Sequence, residues 1–319
     1  MVKHSVIIPV FNESAVVKKT YTRLKSVMDS LGKDYELIFI NDGSNDTTPN
    51  IIQALCKIDQ NVKLISFSRN FGHQIAISAG LDYANGDTAI IIDADLQDPP
   101  EIIPEMIKKW DEGYEVVYGK RIKRKGETLF KKTTAFLFYR LLKNLTNYEI
   151  PVDTGDFRLV DRKVLEVMKT LTEKSRFMRG LVSWVGFKQS YVEYIRDERF
   201  AGETKYPLKR MLKFATDAIT SFSYIPLRLA SYLGFVFSVL SFLYLIYVIY
   251  LKFFTNKTIL GWTSLLAVNL FSFGIVFIIL GIIGEYIGRI YEEAKNRPLY
   301  IVREAIGFKS NIVIPPHSL

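Results

Sequence analysis

The chain has 319 residues, 42 Lys and Arg against 33 Asp and Glu, a formal charge of +9 and a hydrophobic fraction of 49%. The charge calls for an anionic partner: nucleic acid, a phosphorylated substrate or an anionic membrane surface. The apolar excess gathers towards the C-terminus and argues against an ordinary soluble enzyme, while the single cysteine, Cys56, excludes an intrachain disulfide and fits a reducing compartment.

Met1-Val2-Lys3-His4 leads directly into Ser5-Val6-Ile7-Ile8-Pro9-Val10, too short an apolar run for a secretory signal, so the N-terminal part is expected in the cytosol. Strands are expected at residues 5–10, 35–40, 62–67, 88–92 and 115–118. Helices are expected at 14–30, 48–59, 71–83 and 100–112, with Pro49 in the first turn of the second. Strands alternating with helices imply an α/β fold, a mostly parallel sheet covered on both faces. Ligands of such sheets bind beyond the C-terminal ends of the strands. Five polar segments fall there: Phe11-Asn12-Glu13, Asn41-Asp42-Gly43-Ser44, Ser68-Arg69-Asn70-Phe71-Gly72, Asp93-Ala94-Asp95 and Gly119-Lys120-Arg121.

No G-x-G-x-x-G follows the first strand and no G-x-x-x-x-G-K-[ST] occurs, which argues against a dinucleotide oxidoreductase or a P-loop NTPase. A metal bridge is then the natural way to hold a diphosphate. The run Ile90-Ile91-Ile92 stops at Asp93 and Asp95, two carboxylates that can face one point from an extended turn, and hard oxygen ligands suit Mg²⁺ or Mn²⁺. The plain alternative is a solvated turn whose aspartate caps the next helix. Asp42 has two open readings: accepting hydrogen bonds from a base or ribose, or capping the helix that follows it.

Val6-Ile7-Ile8-Pro9-Val10-Phe11-Asn12-Glu13, Asn41-Asp42-Gly43-Ser44 and Asp93-Ala94-Asp95-Leu96-Gln97-Asp98-Pro99 resemble family 2 glycosyltransferases of the GT-A (Rossmann-like) fold. More narrowly, nearly the whole chain resembles the polyprenyl-phosphate glycosyltransferase group, which includes dolichol-phosphate mannose synthase and the bactoprenol glucosyltransferases. The resemblance implies that Pro9, Phe11, Glu13, Ile40 and Asp42 line the nucleotide pocket. It places Asp93, Ala94 and Asp95 at the diphosphate, with Asp93, Asp95 and Gln97 as metal ligands. Arg121 matches a donor-phosphate arginine, and Phe11 stands where the group often has tyrosine.

Between residues 120 and 132 lie Lys120, Arg121, Lys123, Arg124, Lys125, Lys131 and Lys132 against Glu127 alone. Without interleaved aromatics, and with a membrane region ahead, this run is expected to meet a lipid phosphate or anionic headgroups rather than nucleic acid. Residues 133–145 read as an amphipathic helix. Asp153-Thr154-Gly155-Asp156 reads as two acids flanking a Thr-Gly turn, with Asp153 a turn or cap residue. The resemblance makes Asp156 the candidate general base. A phosphate monoester with a second pKa of about 6 is already largely ionised, however, so cations matter more than a base there. Arg199-Phe200-Ala201-Gly202-Glu203-Thr204-Lys205-Tyr206 resembles the group's R-x-x-G-x-[ST]-K-Y loop, which implies that Arg199 and Lys205 close over the phosphates.

Residues 206–224 read as an interfacial amphipathic helix, or as a packed surface helix of the catalytic domain. Pro226 is expected to interrupt. Residues 229–251 and 258–284 carry no charge, and each exceeds the roughly 20 residues needed to span a bilayer. Lys205, Lys209, Arg210, Lys213 and Arg228 precede the first span, and Arg289, Lys295, Arg297 and Arg303 follow the second, so the positive-inside rule puts both termini in the cytosol. Glu285 is expected to pair with Arg289. Gly274, Gly281, Gly284 and Gly288 suit close helix packing in a homo-oligomer. Residues 298–303 are expected to add a short strand or reach a neighbouring subunit.

The expected organisation is a cytosolic catalytic domain (1–205), juxtamembrane amphipathic helices (206–228), a two-helix transmembrane hairpin (229–288; spans at about 229–251 and 261–284) and a cytosolic tail (289–319). The expected activity is metal-dependent, inverting transfer of one sugar from a nucleoside-diphosphate sugar, UDP-glucose first, to undecaprenyl phosphate at the cytosolic face of the plasma membrane, for cell-envelope glycosylation. UDP-N-acetylglucosamine and GDP-mannose are alternative donors. A processive polysaccharide synthase is disfavoured because no Q-x-x-R-W occurs, and a non-catalytic nucleotide-sugar-binding protein because the site acids and cations look complete.

Overall fold

The structure is a computed structural model that describes residues 2–32, 34–123, 154–174, 176–196, 225–254 and 261–308. Outside them lie most of the basic run, the 133–145 helix, Asp153, the loop carrying Arg199 and Lys205, the 206–224 helix, and residues 255–260 and 309–319. The chain divides into two compact units, Met1–Ala218 with Arg297–Leu319, and Ile219–Asn296.

The first unit is built on one eight-stranded sheet. In chain order its elements are β1 (His4–Val10), α1 (Val17–Leu31), β2 (Tyr35–Asn41), α2 (Thr48–Ile58), β3 (Val62–Phe67), α3 (His73–Tyr83), β4 (Thr88–Ile91), a 3₁₀ turn (Pro100–Ile102) running into α4 (Ile103–Asp111), β5 (Val116–Lys123), β6 (Thr154–Asp161), α5 (Arg162–Thr170), α6 (Met178–Trp184), β7 (Gln189–Ile195) and β8 (Val302–Ile306). The order across the sheet is β7-β5-β6-β4-β1-β2-β3-β8. β1–β2, β1–β4, β2–β3 and β5–β7 pair parallel, whereas β4–β6, β5–β6 and β3–β8 pair antiparallel. Six strands therefore share one direction, and only β6 and β8 oppose them.

β1 and β2 are buried along their whole length, as central strands covered on both faces must be. Their side chains, with Leu24 and Met28 of α1, Ile103 and Met106 of α4, Phe157 of β6 and Tyr194 of β7, form one apolar core. The chain passes from β1 through β2 to β3 on one side and then crosses back to place β4 on the other, so the topological switch lies between β1 and β4. β4 ends at Ile91 opposite Ile7, while β1 continues to Val10. The Ile92 amide donates to the Ile7 carbonyl. Pro9, two residues on, therefore turns its N–H-less nitrogen to a side from which β4 has already departed, and no ladder bond is lost. The crevice opens at that point.

Several expected boundaries shift. The first helix begins at Val17 rather than residue 14, because Ser14 is held in the preceding turn by its amide on Asp46 Oδ2 (3.2 Å). β5 continues through Lys123, so Arg121 is a strand residue and not part of a loop beyond the strand. The expected Thr-Gly turn is instead the start of β6, seated between β4 and β5. The tail strand falls at Val302–Ile306 and pairs with β3. Ahead of it, Tyr300 is fully buried, stacks on Phe67 (5.1 Å between centroids) and donates to Asp82 Oδ2 (2.9 Å).

The second unit is a pair of long helices, α7 (Ile225–Phe254) and α8 (Trp262–Ala294), with Phe237 of one against Phe271 of the other (5.9 Å). Pro226 does not interrupt α7 but sits in its first turn, where a missing N–H costs nothing. Both helices contain windows long and apolar enough to cross a membrane, Ile225–Tyr244 and Phe271–Ala294, and those windows are almost entirely exposed. Glu285 and Arg289 form the expected pair (3.1 Å). A Cβ added at Gly274, Gly281, Gly284 or Gly288 would meet nothing within 4 Å.

Candidate active site

The loops after β1 and β2 are laced together by short polar bonds. The Asn12 amide donates to Ser44 Oγ (3.0 Å), the Asn45 amide to Asn12 Oδ1 (2.8 Å) and the Glu13 amide to Thr48 Oγ1 (2.9 Å). Asn12 takes a left-handed backbone (φ 54°), which asparagine tolerates better than most residues. Pro9, Ile40 and Phe11 follow from this frame. Pro9 and Ile40 are buried partners in the β1–β2 ladder, and Phe11 is half-buried at the rim.

Asp42 caps neither the helix that follows it nor a solvated turn. Its buried carboxylate accepts the Phe71 amide (2.6 Å) and the Gly72 amide (3.0 Å), so it organises the entry to α3. Burial pushes its carboxyl up and those two amides hold it down, the net being upward. Gly43 at φ 68° lets this loop lie on the 69–70 peptide, since a Cβ there would stand 2.5 Å from the Arg69 carbonyl carbon.

The Asp93–Asp98 turn is anchored from below: Thr20 of α1, itself buried, donates to the Ala94 carbonyl (2.7 Å). Asp95 Oδ1 accepts the Gln97 amide (3.1 Å), and Leu96 is held at φ 61°, an outlier for a bulky side chain. Asp93 Oδ1 is buried and accepts no hydrogen bond; its nearest cation is His73 Nε2 at 3.4 Å. Burial, together with the neighbouring carboxylates of Asp98, Asp156 and Asp95 and against the pull of His73, pushes the Asp93 carboxyl up to about 6.

This orphaned oxygen fits a bound cation. Among the described residues no three His, Cys, Asp or Glu side chains converge on one metal position. Two carboxylates, with the rest of the shell supplied by phosphate and water, is what Mg²⁺ accepts.

Two ion clusters flank the turn, and sequence spacing revealed neither. In the first, Asp98 has a side chain with no exposure and receives the Tyr194 hydroxyl, Arg121 Nη2 (3.3 Å) and, at 3.7 Å, Arg196 Nε. Arg121 also donates from Nε to the Tyr194 oxygen (3.0 Å) and lies flat on Gly155, where a Cβ would stand 2.3 Å from Nη2. In the second, Asp156 meets Arg179 (Nε to Oδ1, 3.0 Å), Arg158 (3.6 Å), His73 (3.4 Å) and Gln74 (3.3 Å). Arg158, nearly without exposure, spends its N–H groups on the carbonyls of Gly155, Asp156 and Met178. Burial would raise the Asp156 carboxyl, but Arg179, His73 and Arg158 outweigh it and hold the group well below the usual carboxylate range. His73 is pushed up to about 9: burial opposes its charge, and Asp93 and Asp156 on either side prevail.

One rim thus gathers Asp42, Asp93, Ala94, Asp95, Gln97, Arg121 and Asp156 of the residues expected from sequence, with Glu13 at the adjoining turn. Arg199 and Lys205 lie outside the described residues. The residues that sequence reasoning missed are His73, Gln74, Asp98, Arg158, Arg179, Tyr194 and Arg196. Asp98 had a signal, since it belongs to the recognised Asp-rich motif, and His73 directly follows a segment marked as rim. Arg158 and Arg179 had none, because their importance lies in meeting Asp156.

Residues 5–168 match the family model described as glycosyl transferase family 2. The chain is 62% identical to an uncharacterized glycosyltransferase of Bacillus subtilis (strain 168), over 97% of this chain and 96% of that one. It is 43% identical to the prophage bactoprenol glucosyl transferase homolog of Escherichia coli (strain K12), over 94% and 98% of the two chains. It is also 43% identical to the bactoprenol glucosyl transferase of Shigella phage SfII, over 95% and 98%.

Proposed function

This chain belongs to glycosyl transferase family 2, and we propose that it transfers a single glucose from UDP-glucose to a polyprenyl phosphate, undecaprenyl phosphate in a bacterial membrane. The observation that carries the reading is the pairing of a D-x-D turn, with its unpartnered buried Asp93 oxygen, and a ring of arginines at the same strand ends. Such a rim suits two phosphate-bearing substrates. The names of relatives aligned over nearly the whole chain support bactoprenol as acceptor and glucose as the sugar.

In the reaction, an oxygen of the lipid phosphate supplies an electron pair to the anomeric carbon. The bond from that carbon to the β-phosphate oxygen of UDP breaks, its electrons leave with the diphosphate, and the configuration inverts. Asp93 and Asp95, with Gln97, would hold a divalent cation, Mg²⁺ or Mn²⁺, which supplies charge neutralisation at the leaving diphosphate. Arg121, clamped by Asp98 and Tyr194, is placed to meet a donor phosphate without reorganising. Pro9, Phe11, Glu13, Ile40 and Asp42 shape the nucleotide side. Arg199 and Lys205 follow the family pattern as phosphate ligands. α7 and α8 would anchor the enzyme in the plasma membrane where the lipid resides, and the Lys/Arg bias at their outer ends supports a cytosolic catalytic unit and cytosolic termini.

The test is to incubate purified full-length protein with undecaprenyl phosphate and a panel of nucleotide sugars, with Mg²⁺ or Mn²⁺, and to weigh the glycolipid by mass spectrometry. The expected product is one hexose on the lipid phosphate, lost on chelation and in Asp95→Ala. A polymeric product, donor binding without consumption, or near-normal turnover by Asp95→Ala would each defeat the reading.

A further inference from the structure

Family resemblance makes Asp156 a general base, yet its surroundings are those of a group whose electron pairs are already committed. Oδ1 faces Arg179 Nε at 3.0 Å and Arg158 Nη2 at 3.6 Å. Oδ2 faces Gln74 Nε2 at 3.3 Å, His73 Nε2 at 3.4 Å and Arg179 Nη2 at 3.4 Å. Every one of these neighbours is a donor, and only 8% of the side chain is exposed. A base must turn an unoccupied lone pair towards the proton it removes, and this carboxylate is ringed by donors on both oxygens. The acceptor in the proposed reaction also gives it little to do, since a phosphate monoester has lost most of its second proton at neutral pH. The obstacle is bringing that anion up to a diphosphate, which calls for a fixed cation.

The two arginines on Asp156 divide by accessibility. Arg158 has 1% side-chain exposure and is consumed by three backbone carbonyls, which makes it part of the core. Arg179 keeps 21% side-chain exposure while a nearly buried carboxylate holds it along one edge of its guanidinium. It also stands close to the chemistry, because Arg179, Asp156, His73 and Asp93 touch in series and Asp93 begins the D-x-D turn. A guanidinium held on one edge by a carboxylate is pre-oriented to offer its remaining edge to an oxyanion.

We propose that Asp156 is a positioning residue rather than a general base, and that the cation it positions, Arg179, receives the phosphate of the lipid acceptor. The inference rests on the polyprenyl-phosphate reading above. Donor and acceptor both carry phosphate, and Arg179 is assigned to the acceptor because Arg121, on the other flank of the D-x-D turn, already serves the donor.

The test uses the full-length protein in nanodiscs with undecaprenyl phosphate and the UDP-sugar that the wild type consumes. Arg179→Ala is expected to raise the acceptor KM about ten- to a hundredfold, the range for losing a charge-assisted hydrogen bond, with the donor KM unchanged. Arg179→Lys should recover part of the loss. Asp156→Asn should also raise the acceptor KM and leave the shape of the kcat–pH profile as in the wild type. An acceptor KM within twofold of wild type in Arg179→Ala, a donor KM that moves in its place, or a kcat profile that loses its acidic limb in Asp156→Asn would each overturn the proposal. Thermal unfolding of every variant, and UDP binding by it, separates these outcomes from misfolding, and Arg179→Lys retains the charge on Asp156 should the alanine variant unfold. Failure of the broader reading is distinguishable, since it would show as wild-type protein that transfers nothing to undecaprenyl phosphate.

Discussion

Gly155 offers a sharp test of how the site is built. The residue lies in β6 beneath the Arg121 guanidinium, and an added Cβ would stand 2.3 Å from Nη2 and 2.9 Å from Cζ. Carbon contacts settle near 3.5 Å, so in Gly155→Ala the guanidinium must retreat by about 1 Å. It has nowhere equivalent to go: Nη2 is 3.3 Å from Asp98 and Nε is 3.0 Å from the Tyr194 hydroxyl, and both bonds stretch beyond useful length. Overpacking of this kind costs about 1–3 kcal/mol. For a unit of this size that is a fall in Tm of about 2–12 °C. The effect on turnover should be larger, because displacing a phosphate-binding group by about 1 Å costs on the order of a hundredfold. The assay is sugar transfer to undecaprenyl phosphate by purified protein, paired with thermal unfolding. A folded Gly155→Ala variant with turnover within twofold of wild type would show that the position of Arg121 does not matter and would refute the reasoning.

Three further outcomes follow from the same geometry. Asp98→Asn leaves Arg121 and Arg196 without their buried counter-charge and should lower unfolding stability by about 3–5 kcal/mol in a denaturant titration; a change below about 1 kcal/mol would mean that the cluster is screened by water. Tyr300→Ala removes a fully buried ring stacked on Phe67 together with its bond to Asp82, and about 3–5 kcal/mol should be lost from the first unit although the residue follows both long helices in sequence. An unchanged Tm would place the C-terminal segment outside that unit's core. Asp156 has a native pKa below its unfolded value, so the stability it contributes is present above about pH 4 and disappears as pH falls through the native value. The stability gap between wild type and Asp156→Asn should accordingly narrow from pH 6 towards pH 3, and a gap that widens in acid would reverse the sign of that shift.

The strands that the sequence revealed are those whose surroundings are apolar on both faces. β1, β2, β3 and β4 are continuous buried runs that end in polar residues, and that contrast marks their C-terminal rim. β6 escaped because it is a central strand that carries the site's own charges. Thr154, Gly155, Asp156 and Arg158 read as a polar turn, and only the packing of Arg121 on Gly155 and of Arg158 against three carbonyls makes them acceptable inside a sheet. β7 did carry a period-two signal, with Val192 and Tyr194 facing in and Tyr191, Glu193 and Ile195 facing out, which went unread beside the stronger apolar runs. Individual acids were legible in the same way, as chemistry placed at strand ends. Their partners were not. Asp156 meets His73 from 83 positions earlier and Arg179 from a helix with no distinguishing pattern, and no local spacing encodes such contacts.

The partners, more than the acids themselves, determine what the rim can do. Four aspartates stand there, and their neighbours sort them. Asp98 and Asp156 are almost wholly enclosed and bound to guanidinium groups, so their charge serves to fix cations in place. Asp93 is the more exposed, at 26%, and keeps a buried oxygen without a hydrogen bond; it begins the turn that also carries Asp95. A cation is therefore invited at the D-x-D, while arginines held by Asp98 and Asp156 stand on either flank of it. Two anionic substrates that must approach one another need this division. If all four carboxylates were free they would repel both phosphates, and if all were paired no place would remain for a metal ion beneath the leaving diphosphate. Burial makes the division durable, because inside a low-dielectric rim an arginine already neutralised along one edge does not need to reorganise when the second anion arrives.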